Sequence, residues 1–406
     1  MQTRILCSFA LAAAVIAAPV AARADVITDW NDVALKAVVT ARQSAPMGVR
    51  SMAAVHTAMF DAINAVQPRY RPFHFKGTPP PGASAELAAA VAAHDVLVQL
   101  FPEQRASFDQ ALEPAVAATP AGAPREGAVG LGRAVAQDLL AWCAEDGVGA
   151  ATQYRPVTKP GVYVMTNLPI ADDFAASRPW VMARADQFRP APPPSLKSEQ
   201  WARDYNEVRT LGGKSSTARS AESTQVAQFW VVTGAPAFNG IIRQSAQKAG
   251  LDTPASARLM ALTYVAFNDS LVAVFDAKYA YNFWRPITAV RNGDLHENFA
   301  IKRDPGWLPL IDTPPHPEYP CAHCISSAAV ATVLRSVVGN DVPGLTMTSP
   351  TLPGVTRHWD KLSDVEQEVS NARVWSGVHY RTSAEVGARM GHEIGALAVA
   401  NAMQPN

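Results

Sequence analysis

The sequence predicts an all-α protein, a large helical bundle that divides into two packed bundles. Three observations carry this. Long segments run without a Gly or Pro breaker while their apolar residues recur at helical spacing. Several of these segments open with capping signatures. No hairpin dipeptide stands between alternating apolar runs, so few strands are expected.

The elements follow in chain order. "MQTRILCSFALAAAVIAAPVAARADV" has Arg4, then an apolar run, then Ala22-Arg23-Ala24 before Asp25. This is a Sec-type signal with an A-x-A cleavage site. Residues 1–24 are expected to be removed and the mature chain exported, to the periplasm or outside the cell. "ELAAAVAAHDVLVQLF" places Leu87, Val91, Val98 and Phe101 on one helical stripe. Thr253 and Pro254 read as an N-cap and a first-turn proline. The helix they open meets no breaker before Pro286. "CISSAAVATVLRSVVG" is a further helix with Gly339 as its stop. Ser363 with Glu366, and Thr382 with Glu385, read as capping boxes of two last helices. Pro-rich connectors lie at 77–84 and 189–198, and the second divides an N-terminal helical half, 25–195, from a C-terminal half, 196–406. No repeat of solenoid period is visible.

Composition narrows the function. The 406 residues carry 35 Lys and Arg against 35 Asp and Glu. No charge excess points to nucleic acid or an anionic membrane surface. After the leader no apolar run is long enough to span a bilayer. The expected partners are small molecules, and a homo-oligomer is compatible with the sequence. Signal cleavage removes Cys7 and leaves Cys143, Cys321 and Cys324, so at most one internal disulfide forms and one thiol remains.

"EYPCAHCISSAA" sets Cys321, His323 and Cys324 within four positions. A c-type haem site needs C-x-x-C-H, but Ile325 follows Cys324. A structural zinc site needs a second ligand pair, and no second C-x-x-C exists. A redox dithiol is better motivated, because a helix start lowers a thiol pKa, yet it calls for a βαβ setting. A phosphatase-type cysteine nucleophile wants an arginine six residues on, where Ser327 stands. The remaining reading sets the thiols aside. Cys321 and Ala322 begin a helix whose free amides and dipole favour an anion, and His323 lies in the same turn. Alone, His323 is an ordinary surface histidine.

Two other segments supply partners. In "KYAYNFWRP", Lys278 and Arg285 are two helical turns apart and project from one face, flanked by Phe275, Tyr279, Phe283 and Trp284. Two shielded cations without an acidic run want an external anion. In "NARVWSGVHYRTSAE", Arg373 and His379 would diverge by about 120° on one helix. A break at Gly377 lets both turn to one point. His56 and Asp61, in "RSMAAVHTAMFDAINA", read as structural.

Together the segments spell K-x6-R-P, P-x-x-H and R-x5-H between Lys278 and Ser383. This order resembles the superfamily of vanadium-dependent haloperoxidases and type 2 phosphatidic acid phosphatases, whose pattern is K-x6-R-P, P-S-G-H and S-R-x5-H-x3-D. "FWRP", "HPEYP" and "SGVHYR" look most like its soluble, exported haloperoxidase branch. The resemblance implies a helical-bundle fold and an oxyanion site. Lys278, Arg285 and Arg373 would hold the equatorial oxygens of vanadate or phosphate, with Cys321 and Ala322 at the same cradle. His379 would ligate vanadium or attack phosphorus, and His323 would be the acid/base at the opposite apex. Four positions depart from the pattern. Cys321 replaces Ser, Ala322 replaces Gly, Ala372 replaces Ser, and Ser383 replaces the Asp that orients the nucleophilic histidine in phosphatases. If Cys321 pairs with Cys324, its side-chain donor is lost.

Three functions follow from the resemblance. The first is a vanadate-dependent haloperoxidase-like oxidoreductase using hydrogen peroxide and a halide. His316 stands where bromide-type relatives carry His and chloride-type ones Phe, and Phe275 would help wall the halide pocket. The second is a soluble periplasmic acid phosphatase acting on a phosphoester through a phosphohistidine. The third is a degenerate, non-catalytic anion binder, motivated by Cys321, Ala322 and Ser383.

Overall fold

The structure is a computed structural model that describes residues 25–150, 154–165 and 167–406. Residues 1–24, where a leader is expected, lie with Cys7 outside the described residues. The N-terminal helices are α1 (Val26–Thr40), α2 (Ala45–Val66), α3 (Ala85–Leu100), α4 (Arg105–Ala118) and α5 (Ala123–Ala144). A long irregular stretch leads to α6 (Glu199–Leu211), α7 (Ala221–Phe229), α8 (Ala235–Lys248), α9 (Thr253–Tyr281) and α10 (Pro286–Arg291). The chain closes with α11 (Ala322–Val338), a hairpin of β1 (Asp341–Ser349) and β2 (Leu352–Lys361), then α12 (Leu362–Trp375) and α13 (Arg381–Asn401). The expected all-α helical-bundle class holds.

Helix α9 is the axle. It packs on α2 at one side and on α11 and α13 at the other. Its residues from Leu259 to Phe275 are all buried, which an amphipathic surface helix does not achieve. Among the described residues it is the one helix long and apolar enough to cross a membrane, and 94% of that window is buried inside the protein. The tightest contact is α11 against α13. A Cβ on Gly391 would meet the Ile325 carbonyl at 2.2 Å, so only glycine permits the approach. This contact brings the segment before α13 close to the start of α11.

Sequence signals for the helices were sound in position and off in detail. Asp252, not Thr253, is the N-cap of α9 and accepts from the Ala255 amide at 3.1 Å. Neither capping box forms. Helix α12 starts at Leu362, directly from β2, so Ser363 is already helical and its amide is capped by Asn340 Oδ1 at 3.1 Å. Helix α13 starts at Arg381, and the Thr382 hydroxyl instead accepts from Gln200 at 2.8 Å. The stripe on α3 is a wholly buried surface around Leu87 and Val91, with Val98 partly exposed. The hairpin carried no signal because Pro343, Gly344, Pro353 and Gly354 interrupt any alternation, and its register shifts twice.

The connector 189–198 is pinned rather than slack. Tyr281 donates its hydroxyl to the Pro190 carbonyl, and Tyr319 donates to Ala191 at 2.8 Å. Asp61 accepts from the amides of Phe73, His74 and Phe75 at 2.8–3.0 Å, and Asp269 does the same for Trp180, Val181 and Met182 at 2.7–2.9 Å. Both carboxylates staple a long loop to a helix, as expected for Asp61. His56 is buried against Asn31 and Tyr264, and burial pushes its pKa down to about 3.

Candidate active site

Helix α9 does not continue to Arg285. It ends at Tyr281, and Asn282 takes a left-handed conformation (φ 47°) that its small polar side chain tolerates. Residues 282–284 then pair with 161–163: the Tyr163 amide donates to Asn282 at 2.8 Å and the Trp284 amide to Gly161 at 3.1 Å. Arg285 sits on extended backbone as the N-cap of α10. The one-face helical geometry expected for Lys278 and Arg285 is therefore corrected. They converge because the chain bends, not because it spirals.

What they converge on is the strap "PPHPEYP", residues 314–320. Its four prolines lack N–H groups, so the strap offers carbonyls with few competing donors. Lys278 Nζ donates to the carbonyls of Pro317 (2.9 Å) and Glu318 (2.7 Å). Arg285 donates from Nε to His316 O (2.9 Å) and from Nη1 to Val378 O (2.8 Å). Its Nη2 lies 3.0 Å from His316 Nδ1. The ring of His316 meets Phe275 edge to face at 5.3 Å, so the two expected halide-pocket residues are in contact beside Arg285.

The other wall comes from the end of α12 and the loop after α7. Arg373 donates from Nη1 to Trp230 O at 2.8 Å, and its buried Nε has no partner. Gly377 (φ 80°) breaks the chain after α12, and the amides of Val378 and His379 fold back onto the Arg373 carbonyl. His379 Nε2 then lies 3.3 Å from Arg285 Nη1. His323, in the first turn of α11, has Nε2 3.0 Å from Val232 O and is partly exposed, as is Ala322.

Cys321 is the N-cap of α11 and is disulfide-bonded to Cys324. Its Sγ accepts from the Cys324 amide at 3.2 Å, and its own amide donates to Ser383 O. The side-chain donor expected at this position is thus lost. The cradle keeps the helix-start amides of Ala322 and His323. Cys143 is the free, buried cysteine.

Glu318 is the residue that the sequence reading passed over. It is fully buried, with Oε1 2.7 Å from His379 Nδ1 and 3.1 Å from the Tyr380 amide. Ser383 Oγ is 3.4 Å from the same His379 nitrogen. No local signal marks it, since a carboxylate between prolines in "HPEYP" reads equally as a solvated loop residue.

The electrostatics fit an anion. Lys278, Arg285 and Arg373 are at most 1% exposed, and among the described residues Glu318 is the one carboxylate whose charge acts on Lys278 and Arg285. Burial lowers Lys278 well below its usual range, with Arg285 adding to it. Burial also lowers Arg285 to about 10 and Arg373 to about 9. Burial and the same cations hold His316, His323 and His379 well below 6.5, so all three are neutral. Burial raises Glu318 to about 7 against the pull of Lys278 and Arg285. Buried charge of one sign is costly unless a counter-ion completes it. The orphaned Arg373 Nε and the third Lys278 proton can each serve an oxyanion at the His379 Nε2 side. Among the described residues no cluster of His, Cys, Asp or Glu could hold a metal cation. The donor set suits an oxyanion such as vanadate or phosphate.

The chain is similar to known proteins in sequence and in fold. Residues 258–406 match the VCPO second helical-bundle domain. The vanadium chloroperoxidase of Curvularia inaequalis is 25% identical over 264 residues, 48% of this chain and 43% of that protein. The chain thus spans under half the length of that relative. A bacterial vanadium-dependent iodoperoxidase superposes with a TM-score of 0.82 at 23% identity, covering 94% of this chain and 97% of the other. An apo bacterial vanadium-dependent chloroperoxidase gives 0.69 at 17% identity over 87% and 92%. The chain has the fold of the bacterial vanadium-dependent haloperoxidases, and the residues similar to the VCPO second helical-bundle domain, 258–406, carry Lys278, Arg285, Glu318, His323, Arg373 and His379.

Proposed function

We propose that the protein is a vanadate-dependent haloperoxidase-like enzyme that oxidises a halide with hydrogen peroxide. The observation that carries this is the buried surplus of positive charge, Lys278, Arg285 and Arg373, gathered round a neutral His379. Vanadate, when bound, supplies the Lewis acid that activates peroxide for two-electron oxidation of halide. The residues supply the rest. Arg285 and Arg373, with planar forks, and Lys278, with a point charge, would hold the vanadate oxygens. His379 would hold the group through Nε2. His323, with Nε2 engaged by Val232 O, would hold or pass a proton at Nδ1. Its partial exposure leaves a route for peroxide and water. Phe275 and His316 wall the side where halide would approach, with Arg285 as its cationic floor.

The leader-like residues 1–24 support export, which suits an enzyme with a disulfide beside its active site. The test is bromination of an activated diketone by the mature protein with orthovanadate, peroxide and bromide. It should depend on vanadate and vanish in His379→Ala. Hydrolysis of p-nitrophenyl phosphate without any bromination would overturn the proposal in favour of a phosphatase. Neither activity, with phosphate still raising the Tm, would leave an anion binder.

A further inference from the structure

His379 has two ring nitrogens, and its neighbours decide which carries the proton. Nε2 lies 3.3 Å from Arg285 Nη1. A guanidinium only donates, so Nε2 must accept, and an N–H there would face another N–H. The single proton of the neutral ring is therefore on Nδ1. There it meets Glu318 Oε1 at 2.7 Å.

Glu318 is itself held at its backbone and at Oε1, while its buried Oε2 has no partner. Its amide donates to Phe283 O at 2.9 Å, its carbonyl accepts from Lys278 at 2.7 Å, and Oε1 also accepts from the Tyr380 amide at 3.1 Å. Four neighbours from three segments fix where the carboxylate points.

Ser383, in the first turn of α13, lies four residues beyond His379, with Oγ 3.4 Å from Nδ1. A carboxylate at 383 would reach the same nitrogen that Glu318 reaches from the strap. The chain has an orienting carboxylate at only one of these two positions.

We propose that Glu318 is the positioning residue of the site: it locks His379 in the Nδ1–H tautomer with Nε2 aimed at the oxyanion, and does from the 314–320 strap the work that a carboxylate at 383 would do from α13. This rests on the reading of His379 as the residue that holds the oxyanion. Removing the hydrogen-bond partner of a ligating histidine typically weakens affinity about 10- to 100-fold.

The experiment measures two quantities without peroxide or halide. Imidazole 15N shifts report the His379 tautomer in the free protein, and calorimetry reports orthovanadate affinity. Glu318→Ala should lose the pure Nδ1–H tautomer and weaken orthovanadate binding about 10- to 100-fold. Glu318→Ala with Ser383→Asp should regain both, because the carboxylate returns from the other side. Glu318→Gln keeps volume and a carbonyl acceptor. It should hold the tautomer and bind orthovanadate more weakly than the parent but better than Glu318→Ala. An unchanged tautomer and affinity in Glu318→Ala overturns the proposal. So does a folded double variant no better than the single one. If Glu318→Ala does not fold, parent-like affinity in Glu318→Gln overturns it. Normal tautomer and affinity effects in a protein that brominates nothing would refute the haloperoxidase reading and leave this one standing.

Discussion

Gly377 and Gly212 meet backbone to backbone. A Cβ on Gly377 would stand 2.3 Å from the Gly212 carbonyl oxygen, and Gly377 also has φ 80°. This contact is where the chain turns between Arg373 and His379. Gly377→Ala should cost about 1–3 kcal/mol from backbone conformation, with the clash adding to it. Urea unfolding measures the loss. Orthovanadate or phosphate protection should fall in the same variant, because the two flanking side chains no longer converge.

Arg373 is a buried cation whose guanidinium has one carbonyl partner and an unpaired Nε. Replacing such a charge by an apolar side chain of similar length is often neutral or stabilising. Arg373→Met should leave the ligand-free protein at least as stable as the parent. It should also remove most of the rise in Tm that orthovanadate or phosphate gives. A large loss of stability in the ligand-free variant would show that the cation is structural.

Glu318 sets a pH dependence. Its folded pKa, about 7, lies above the ordinary 4.5 because burial favours the neutral form. The folded state then binds more protons, so this group stabilises below pH 4.5 and loses that contribution as pH rises through 7. Relative to Glu318→Gln, the parent should lose up to about 3 kcal/mol between those pH values. Parallel stability curves for the two proteins would contradict the assignment.

The cysteines give a chemical count. A chain beginning at Asp25 should show one reactive thiol, Cys143, when denatured without reductant, and three after reduction. Three thiols before reduction would mean that Cys321 and Cys324 are not paired. Cys321→Ser with Cys324→Ala restores a hydroxyl donor at the start of α11 and should tighten orthovanadate binding.

Much of the site was legible because its chemistry is carried by residue types at fixed spacing. Lys278, Arg285, His323, Arg373 and His379 could be picked out by charge and by the breaks at Pro286, Pro320 and Gly377. The bundle class was legible from uninterrupted segments such as α9. The path between Lys278 and Arg285 was not, since "KYAYNFW" suits a helix locally and tertiary pairing with 161–163 ends it at Asn282. Glu318 was missed because its partner is 61 residues away, and no local pattern announces such a pair. The capping boxes failed for a related reason: β2 and Tyr380 supply the chain direction that sets where α12 and α13 start.

The central claim is that Lys278, Arg285, Arg373 and His379 form one oxyanion cage, in which His379 would hold the anion through Nε2. Calorimetric titration of orthovanadate into the mature protein and into His379→Ala tests it most directly. The account predicts saturable one-to-one binding by the parent and a loss of at least about 100-fold in the variant. Equal affinity in the two proteins would contradict it.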